Sequence, residues 1–394
     1  MEVGATKKSK HVEMREHVER LITTGHYSPG DRLPSENELV TQFKTSRPTV
    51  ARALRELQYQ GLIERRAGSG TYVRRRDDAS APTSSACQLF GALIPNLGQT
   101  AIFEPICGEI ARRLQALGHA LVWADCGGMP ASSGNERPNS IDRIERAEQA
   151  CRGFIERKTA GVFFAPIEYG DEAEINSRIL KVLAQAGIPV VLLDRDATAF
   201  PRRSRYDIVG IDNVRGAVLL TQHLVAAGRR RICFFARPHS APTVDLRKSG
   251  FREALWRAGR AIDPADSIDG DPLDAKFVHK FLRARRPDAI VCANDMTAAA
   301  LLQTLADLGV SVPDEVAVVG FDDVKYSRLL GPPLTTIHQP CEAIGQAALK
   351  VMFDRIREPD LPARTVLLET TLVVRRSCGA QADEAADGSV QGRR

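Results

Sequence analysis

The sequence predicts an α/β fold in two unequal parts: a small helical module with a β-hairpin, then a large body built on parallel sheet. Three observations carry this. In the first 76 residues apolar side chains recur at helical spacing and then give way to two short β-type runs. From residue 88 onward, short apolar runs alternate with amphipathic stretches. The charge is also divided. Residues 1–76 hold 15 Lys/Arg and 9 Asp/Glu (+6), and the remainder hold 39 and 40 (−1). A chain of 394 residues, 43% hydrophobic and 26% charged, suits two or three soluble domains. No apolar run reaches the roughly 18–20 residues that span a bilayer. The opening MEVGATKKSK has no apolar core of the secretory type. A membrane partner is therefore not expected, and the cytoplasm is the expected location.

HVEMREHVERLITTG puts Met14, Val18, Leu21 and Ile22 on one helical face. YSPGDRLP reads as a turn-rich connection. Ser35 and Glu38 have the spacing of a capping box, which starts a short second helix. The third helix begins near Ser46, with Pro48 in its first turn, where a missing N–H costs nothing. Val50, Ala53, Leu54 and Leu57 face inward, and Pro48, Arg52 and Arg55 lie opposite. LIERRAGSGTYV then reads as a hairpin with a glycine-rich tip. Three short helices and a hairpin make a winged helix-turn-helix. In such modules the third helix enters the major groove of double-stranded DNA, and arginine suits guanine O6 and N7.

The segments PGDRLPSENELV, SRPTVARALRELQYQGLI and RRAGSGTYV occur in order. Together they resemble the DNA-binding domain of GntR-type bacterial regulators. That resemblance implies DNA contacts at Ser35 and Glu36, at Arg47, Pro48, Thr49 and Arg52, and at Gly68 and Ser69 in the wing. The family often has Arg where this chain has Ala51, with Arg52 next to it.

Eight cysteines are scattered with no CxxC pair and no zinc-finger histidine spacing, so neither a metal nor a disulfide framework is expected. The stretch before Gln88 is charged and then rich in Ser, Ala and Pro, which predicts a linker at 77–87. The predicted strands beyond it are LFGALI, HALVWA, GVFFAP, PVVLLD, DIVGI, RICFFA, DAIVCA and EVAVVGF. Helical stretches fall between them, near 104–117, 141–157, 172–187, 214–227, 247–259, 274–284 and 296–309. One barrel, one large sheet or two doubly wound lobes would satisfy that alternation. Polar residues gather at four strand ends: Asp194 and Arg195, Arg237 and His239, Asn294 and Asp295, Asp322 and Asp323. In open parallel sheets ligands sit beyond the carboxyl ends of strands. Two facing lobes would bring these groups to one cleft suited to a polyhydroxylated ligand. Asp295 and Asp323 are expected to cap helices or serve a hinge, and Asn294 and Asp322 to touch ligand.

DNVRGAVLLTQHLVAAGRRRICFFA, LRKSGFREAL, PDAIVCANDMTAAALLQTLADLGVSVPDEVAVVGFDD and PPLTTIHQP resemble the effector-binding domain of LacI/GalR-type repressors. That fold, two doubly wound parallel-sheet lobes, is shared with periplasmic sugar-binding proteins. The resemblance implies ligand contacts at Ile102, Phe103, Arg247, Asn294 and Asp322, with Thr243 and Asp245 nearby. Pro272 stands where many members place a stacking aromatic ring. The region 126–140 is loop-like and longer than usual.

The expected organisation is therefore a DNA-binding domain over 1–76, the linker, an effector and dimerisation domain over 88–378 and a polar tail over 379–394. A GntR-type reader with a LacI-type sensor resembles the bacterial arabinose repressor group. The expectation is a homodimeric repressor on operator DNA, relieved by a small sugar; the alternatives are a regulator activated or co-repressed by a non-sugar molecule such as a purine and, more remotely, a sugar-active enzyme. No GxSxG, HExxH, P-loop or GxGxxG motif is present. An enzyme is not expected, and no cofactor is.

Overall fold

The computed structural model describes residues 10–23, 26–28, 30–59, 62–66, 70–73, 87–95, 101–124, 140–167, 173–198 and 202–379. The predicted tail beyond Gly379, nearly all of the linker, and residues 125–139 lie outside them. The chain forms two units, residues 1–86 and 87–394.

In the first unit α1 (Lys10–Thr23), α2 (Glu36–Gln42) and α3 (Arg47–Tyr59) precede the antiparallel pair β1 (Ile63–Arg66) and β2 (Gly70–Val73). Met14, Val18, Leu39, Val50, Ala53, Leu54, Leu57, Ile63 and Val73 form one buried core. The capping box is complete. Ser35 Oγ accepts from the Glu38 N–H, and the Glu38 carboxylate accepts from the Ser35 N–H at 2.7 Å. Those bonds hold the Glu38 carboxyl below the usual carboxylate range. The turn-rich connection does more than predicted. Gly30 and Leu33 donate to Val73 and Thr71, and Val73 donates back to Asp31, so this segment lies along β2 through an isolated antiparallel bridge at Arg32 and Tyr72. Gly70, with φ of 124°, permits that approach, because a Cβ there would meet Arg32 Nε at 2.8 Å.

The second unit has two parallel sheets. The first lobe contains β3 (Leu89–Leu93), α4 (Phe103–Ala116), β4 (Ala120–Ala124), α5 (Ser140–Glu156), β5 (Val162–Phe164), α6 (Ala173–Gln185), β6 (Val190–Leu193) and β7 (Asp207–Ile211). The second contains α7 (Asn213–Ala226), β8 (Ile232–Ala236), α8 (Pro242–Arg257), β9 (Ser267–Asp269), α9 (Ala275–Arg285), β10 (Ala289–Cys292), α10 (Asp295–Asp307) and β11 (Ala317–Val319). Then come β12 (Thr336–His338), α11 (Cys341–Arg357), β13 (Thr365–Leu368) and β14 (Thr371–Val373). The six-stranded sheet runs β13-β7-β6-β5-β3-β4 and the four-stranded sheet runs β11-β10-β8-β9, every pairing parallel.

Alternate strand residues enter different cores, as a sheet covered on both faces requires. Phe163 joins one cluster while Val162 and Phe164 join another. Phe234 likewise parts from Cys233 and Phe235. The chain crosses between lobes three times: from β7 into α7, from β12 into α11, and from β13 into β14, which pairs antiparallel with β12. Helix α11 lies beyond the predicted helices. It packs on α4, and its Arg355 joins Arg364 in holding the buried Asp207 carboxylate at 2.9 and 3.2 Å. Helices α7 and α8 meet at Gly250, where any side chain would strike the Val214 carbonyl. That close approach sets Arg247, one turn earlier, against Asn213.

Candidate DNA interface and ligand cleft

The first residues of α3 present a polar surface over an apolar base. Arg47, Pro48 and Arg52 are exposed and Thr49 is half-buried, while Val50, Ala53, Leu54 and Leu57 are fully buried. Ser46 Oγ and Thr49 Oγ1 are 2.9 Å apart, which ties the hydroxyls across the first turn. Ser35, exposed, is spent on capping α2, and the half-buried Glu36 begins that helix. Gly68 and Ser69 lie outside the described residues. Exposed guanidiniums at a helix N-terminus on a rigid apolar base can read bases and hold phosphate.

The cleft residues are held differently. Asp194, His239, Asp322 and Asp323 have φ of 71°, 58°, 119° and 55°, and each stands just beyond a strand of the two sheets. Left-handed backbone at non-glycine residues is costly and gathers at functional sites. Asp322 Oδ1 accepts from Gln339 Nε2 at 2.6 Å and lies 3.4 Å from Arg247 Nη1. Arg247 is buried. Its Nε donates to Asn213 Oδ1 at 2.8 Å, its Nη1 donates to the Ala293 carbonyl at 2.7 Å, and its guanidinium lies 3.8 Å from the centre of the Phe321 ring.

Asn294 caps α10, accepting the Thr297 N–H at 2.8 Å through Oδ1. Its side-chain amide NH2 has no hydrogen-bond partner among the described residues. The capping expected of Asp295 thus falls to its neighbour. Asp295 is fully buried and accepts from the Thr336 hydroxyl at 2.6 Å and the Val324 N–H at 3.0 Å. Burial first, and then Asp322, push its carboxyl up to about 8 against those two bonds. Burial would also raise Asp323, but Arg375 and His338 outweigh it and hold that carboxyl below its ordinary value. Asp323 accepts from Arg375 at 2.6 Å, and its other oxygen lies 3.0 Å from His338 Nδ1.

On the first lobe, Phe103 is buried and Ile102 half-buried at the start of α4. The Arg195 guanidinium sits 5.8 Å from the Phe103 ring centre, donates to the Pro166 carbonyl at 2.8 Å and pairs with Asp194 at 3.1 Å. Cys341, where the chain re-enters this lobe, ties the two sides together. Its thiol is pushed up to about 12 by burial, then by Asp322, with Asp194 contributing. Asp194 and Asp322, beyond β6 and β11, both act on this one thiol. Asp245 stays apart from this cluster, its side chain 80% exposed and its carboxylate 3.8 Å from Lys248. Thr243 is buried in the first turn of α8. Gln339 was not foreseen. The only local signal is its position directly after a short strand and before Pro340. Among the described residues no His, Cys, Asp or Glu cluster could hold a metal, and no helix is long and apolar enough to cross a membrane.

Residues 10–73 match the bacterial regulatory proteins of the gntR family, and residues 221–378 match a periplasmic binding protein-like domain. The HTH-type transcriptional repressor PurR of Mannheimia succiniciproducens is 30% identical over 243 residues, 61% of this chain and 70% of that one. This chain belongs to the LacI-type transcriptional regulators, with a GntR-type reader at its N-terminus. As a DNA-binding regulator it is also 26% identical over 384 residues to the arabinose metabolism transcriptional repressor of Geobacillus stearothermophilus, covering 93% of this chain and 97% of the relative. Among solved structures, the regulator is similar to the transcriptional regulator CelR in complex with cellobiose (25% identity, TM-score 0.61, 84% of this chain and 90% of that one). It is also similar to the transcription regulator GntR from Chromobacterium violaceum (26% identity, TM-score 0.57, 74% and 100%).

Proposed function

We propose that this regulator is a homodimeric repressor that leaves a pseudo-palindromic operator when a small sugar enters the interlobe cleft. Arg47, Pro48, Thr49 and Arg52 read the major groove, Ser35 and Glu36 lie at the backbone, and Gly68 and Ser69 also contact DNA. Ile102, Phe103, Arg247, Asn294 and Asp322 contact the sugar, with Asp245 at the rim. The protein works in the cytoplasm, where its operator is.

The observation that supports this most is the sharing of Asp322 between Arg247 and Gln339. Gln339 belongs to the segment that carries the chain from β12 into α11, and so from one lobe to the other. A sugar hydroxyl that engages Asp322 competes with Gln339 and changes how that crossing is held. A ligand shifts the lobes only by binding one arrangement better than the other. The names of relatives, an arabinose repressor and a regulator solved with cellobiose, favour a sugar. The PurR name of others favours a purine as the second reading.

The test is Asp322→Ala in the full-length protein, with operator binding followed by fluorescence anisotropy against pentoses and hexoses. Wild type releases operator with at least one sugar, and the variant binds operator normally and ignores that sugar. A variant that still releases at wild-type sugar concentrations refutes the cleft assignment.

A further inference from the structure

Resting on the cleft reading above, we infer that the effector is an anionic polyol, a sugar bearing a carboxylate or phosphate, and that Arg237 is the residue that selects it. Arg237 stands directly beyond β8, among the strand ends that line the cleft. The acidic groups there are already matched. Asp194 pairs with Arg195, Asp322 with Arg247 and Gln339, and Asp323 with Arg375 and His338. Asp295 is fully buried and takes up the Thr336 hydroxyl and the Val324 N–H. Every cleft carboxylate among the described residues thus has its own cationic or hydrogen-bonding partners.

Arg237 has none of these. Its Nε is buried with no hydrogen-bond partner, and among the described residues its guanidinium forms no ion pair. A buried donor without an acceptor is costly, and native structures rarely keep one without a use. The chemistry it lacks is an anionic oxygen, preferably two in the plane of a guanidinium.

Two further features agree. Burial first, then Asp295 and Asp322, raise the Tyr326 phenol and Arg237 opposes them, so Arg237 lies within electrostatic reach of the same ring as Asp322. Helix α8 starts four residues on from Arg237's neighbour Pro238 with Ala241 at its N-cap, so no side chain caps its first amides. The polyol part of the ligand is left to Asn294, whose NH2 is unpartnered, and to Asp322. Arg237 adds a demand that neutral sugars do not meet. Carboxylate and phosphate satisfy it alike, since both present paired oxygens with negative charge.

The experiment uses the full-length protein and matched pairs that differ only in the charged group: galactose and galacturonate, arabinose and arabinonate, ribose and ribose 5-phosphate. Calorimetry gives affinity, and anisotropy gives operator release. At least one charged member is expected to bind about tenfold or more tighter than its neutral partner. Arg237→Gln should erase that preference with little change in the neutral member's affinity, and Arg237→Lys should retain part of it. The uronate and phosphate arms identify which anion is taken. Neutral members binding as tightly as charged ones, or a preference that survives Arg237→Gln, overturns the inference and leaves the cleft reading standing. Charged ligands that bind unchanged to Asp322→Ala overturn the cleft reading itself, and so does failure of every pair to bind. Melting curves of the variants separate misfolding from lost recognition. If Arg237→Gln does not fold, the Lys variant and the wild-type pair comparison still decide.

Discussion

The surface of α3 and the cleft of the second unit solve recognition in opposite ways. The α3 residues Arg47, Pro48, Thr49 and Arg52 come from one stretch of six positions, are mostly exposed, and are placed by helical periodicity over a buried apolar face. The cleft's residues come from strand ends as far apart as Asp194 and Gln339, are mostly buried, and hold one another through ion pairs and left-handed backbone. On α3 the residues proposed to read DNA lie off the buried core, so changing one should leave the fold alone. In the cleft the residues proposed to bind ligand also hold one another in place. The contrast can be broken by measurement.

Arg247→Ala should have the largest effect, lowering stability by about 3–5 kcal/mol, because it leaves Asp322 and Asn213 without their buried partner. Urea unfolding of the full chain measures this, and a loss below about 1 kcal/mol would put the cleft on the same footing as the reader. Next comes a dependence on pH. Asp295 is raised to about 8 in the folded state, so the fold binds its proton more tightly than the unfolded chain. The stability from this group is fully present below the ordinary carboxyl pKa and falls as pH rises towards 8. Asp295→Asn should flatten the fall of the urea midpoint between pH 5 and pH 8; an unchanged slope would contradict the burial argument. Arg47→Ala should weaken operator binding by about 1–3 kcal/mol with no change in melting temperature, if Arg47 reads a base. Loss of stability in that variant would blur the contrast from the other side. Smallest is Ser35→Ala, at about 1 kcal/mol of unfolding free energy, from removal of the α2 cap.

The sequence reading recovers what local chemistry specifies. The capping box at Ser35 and Glu38, Pro48 at the head of α3, and the alternation of apolar runs with amphipathic helices all depend on near neighbours. It does not reach what distant contacts specify. Strands β9 and β12 have three residues each, too few for a period to show. Gly30–Leu33 reads as a turn because of its Gly and the flanking Pro29 and Pro34, yet it forms an isolated antiparallel bridge with β2. Helix α11 carries an apolar stripe of Ile344, Ala348, Leu349, Val351 and Met352 and was open to the same periodicity argument. For the cleft, the strand-end polar residues were visible, but not which would pair. Asn294 as the α10 cap, Asp295 as a tie to β12, and Gln339 as a partner of Asp322 follow only once the chain has crossed between sheets.

Those three crossings also bear on how the protein can be taken apart. Neither lobe is a continuous piece of gene: the first is interrupted after β7 and resumed with α11, and the second is finished only by β14. A single cut between the start of α7 and the end of β13 therefore severs both lobes at once. Exchange of parts between such regulators is constrained to the junction near residue 86, where a whole sensor can be traded for another behind an unchanged reader.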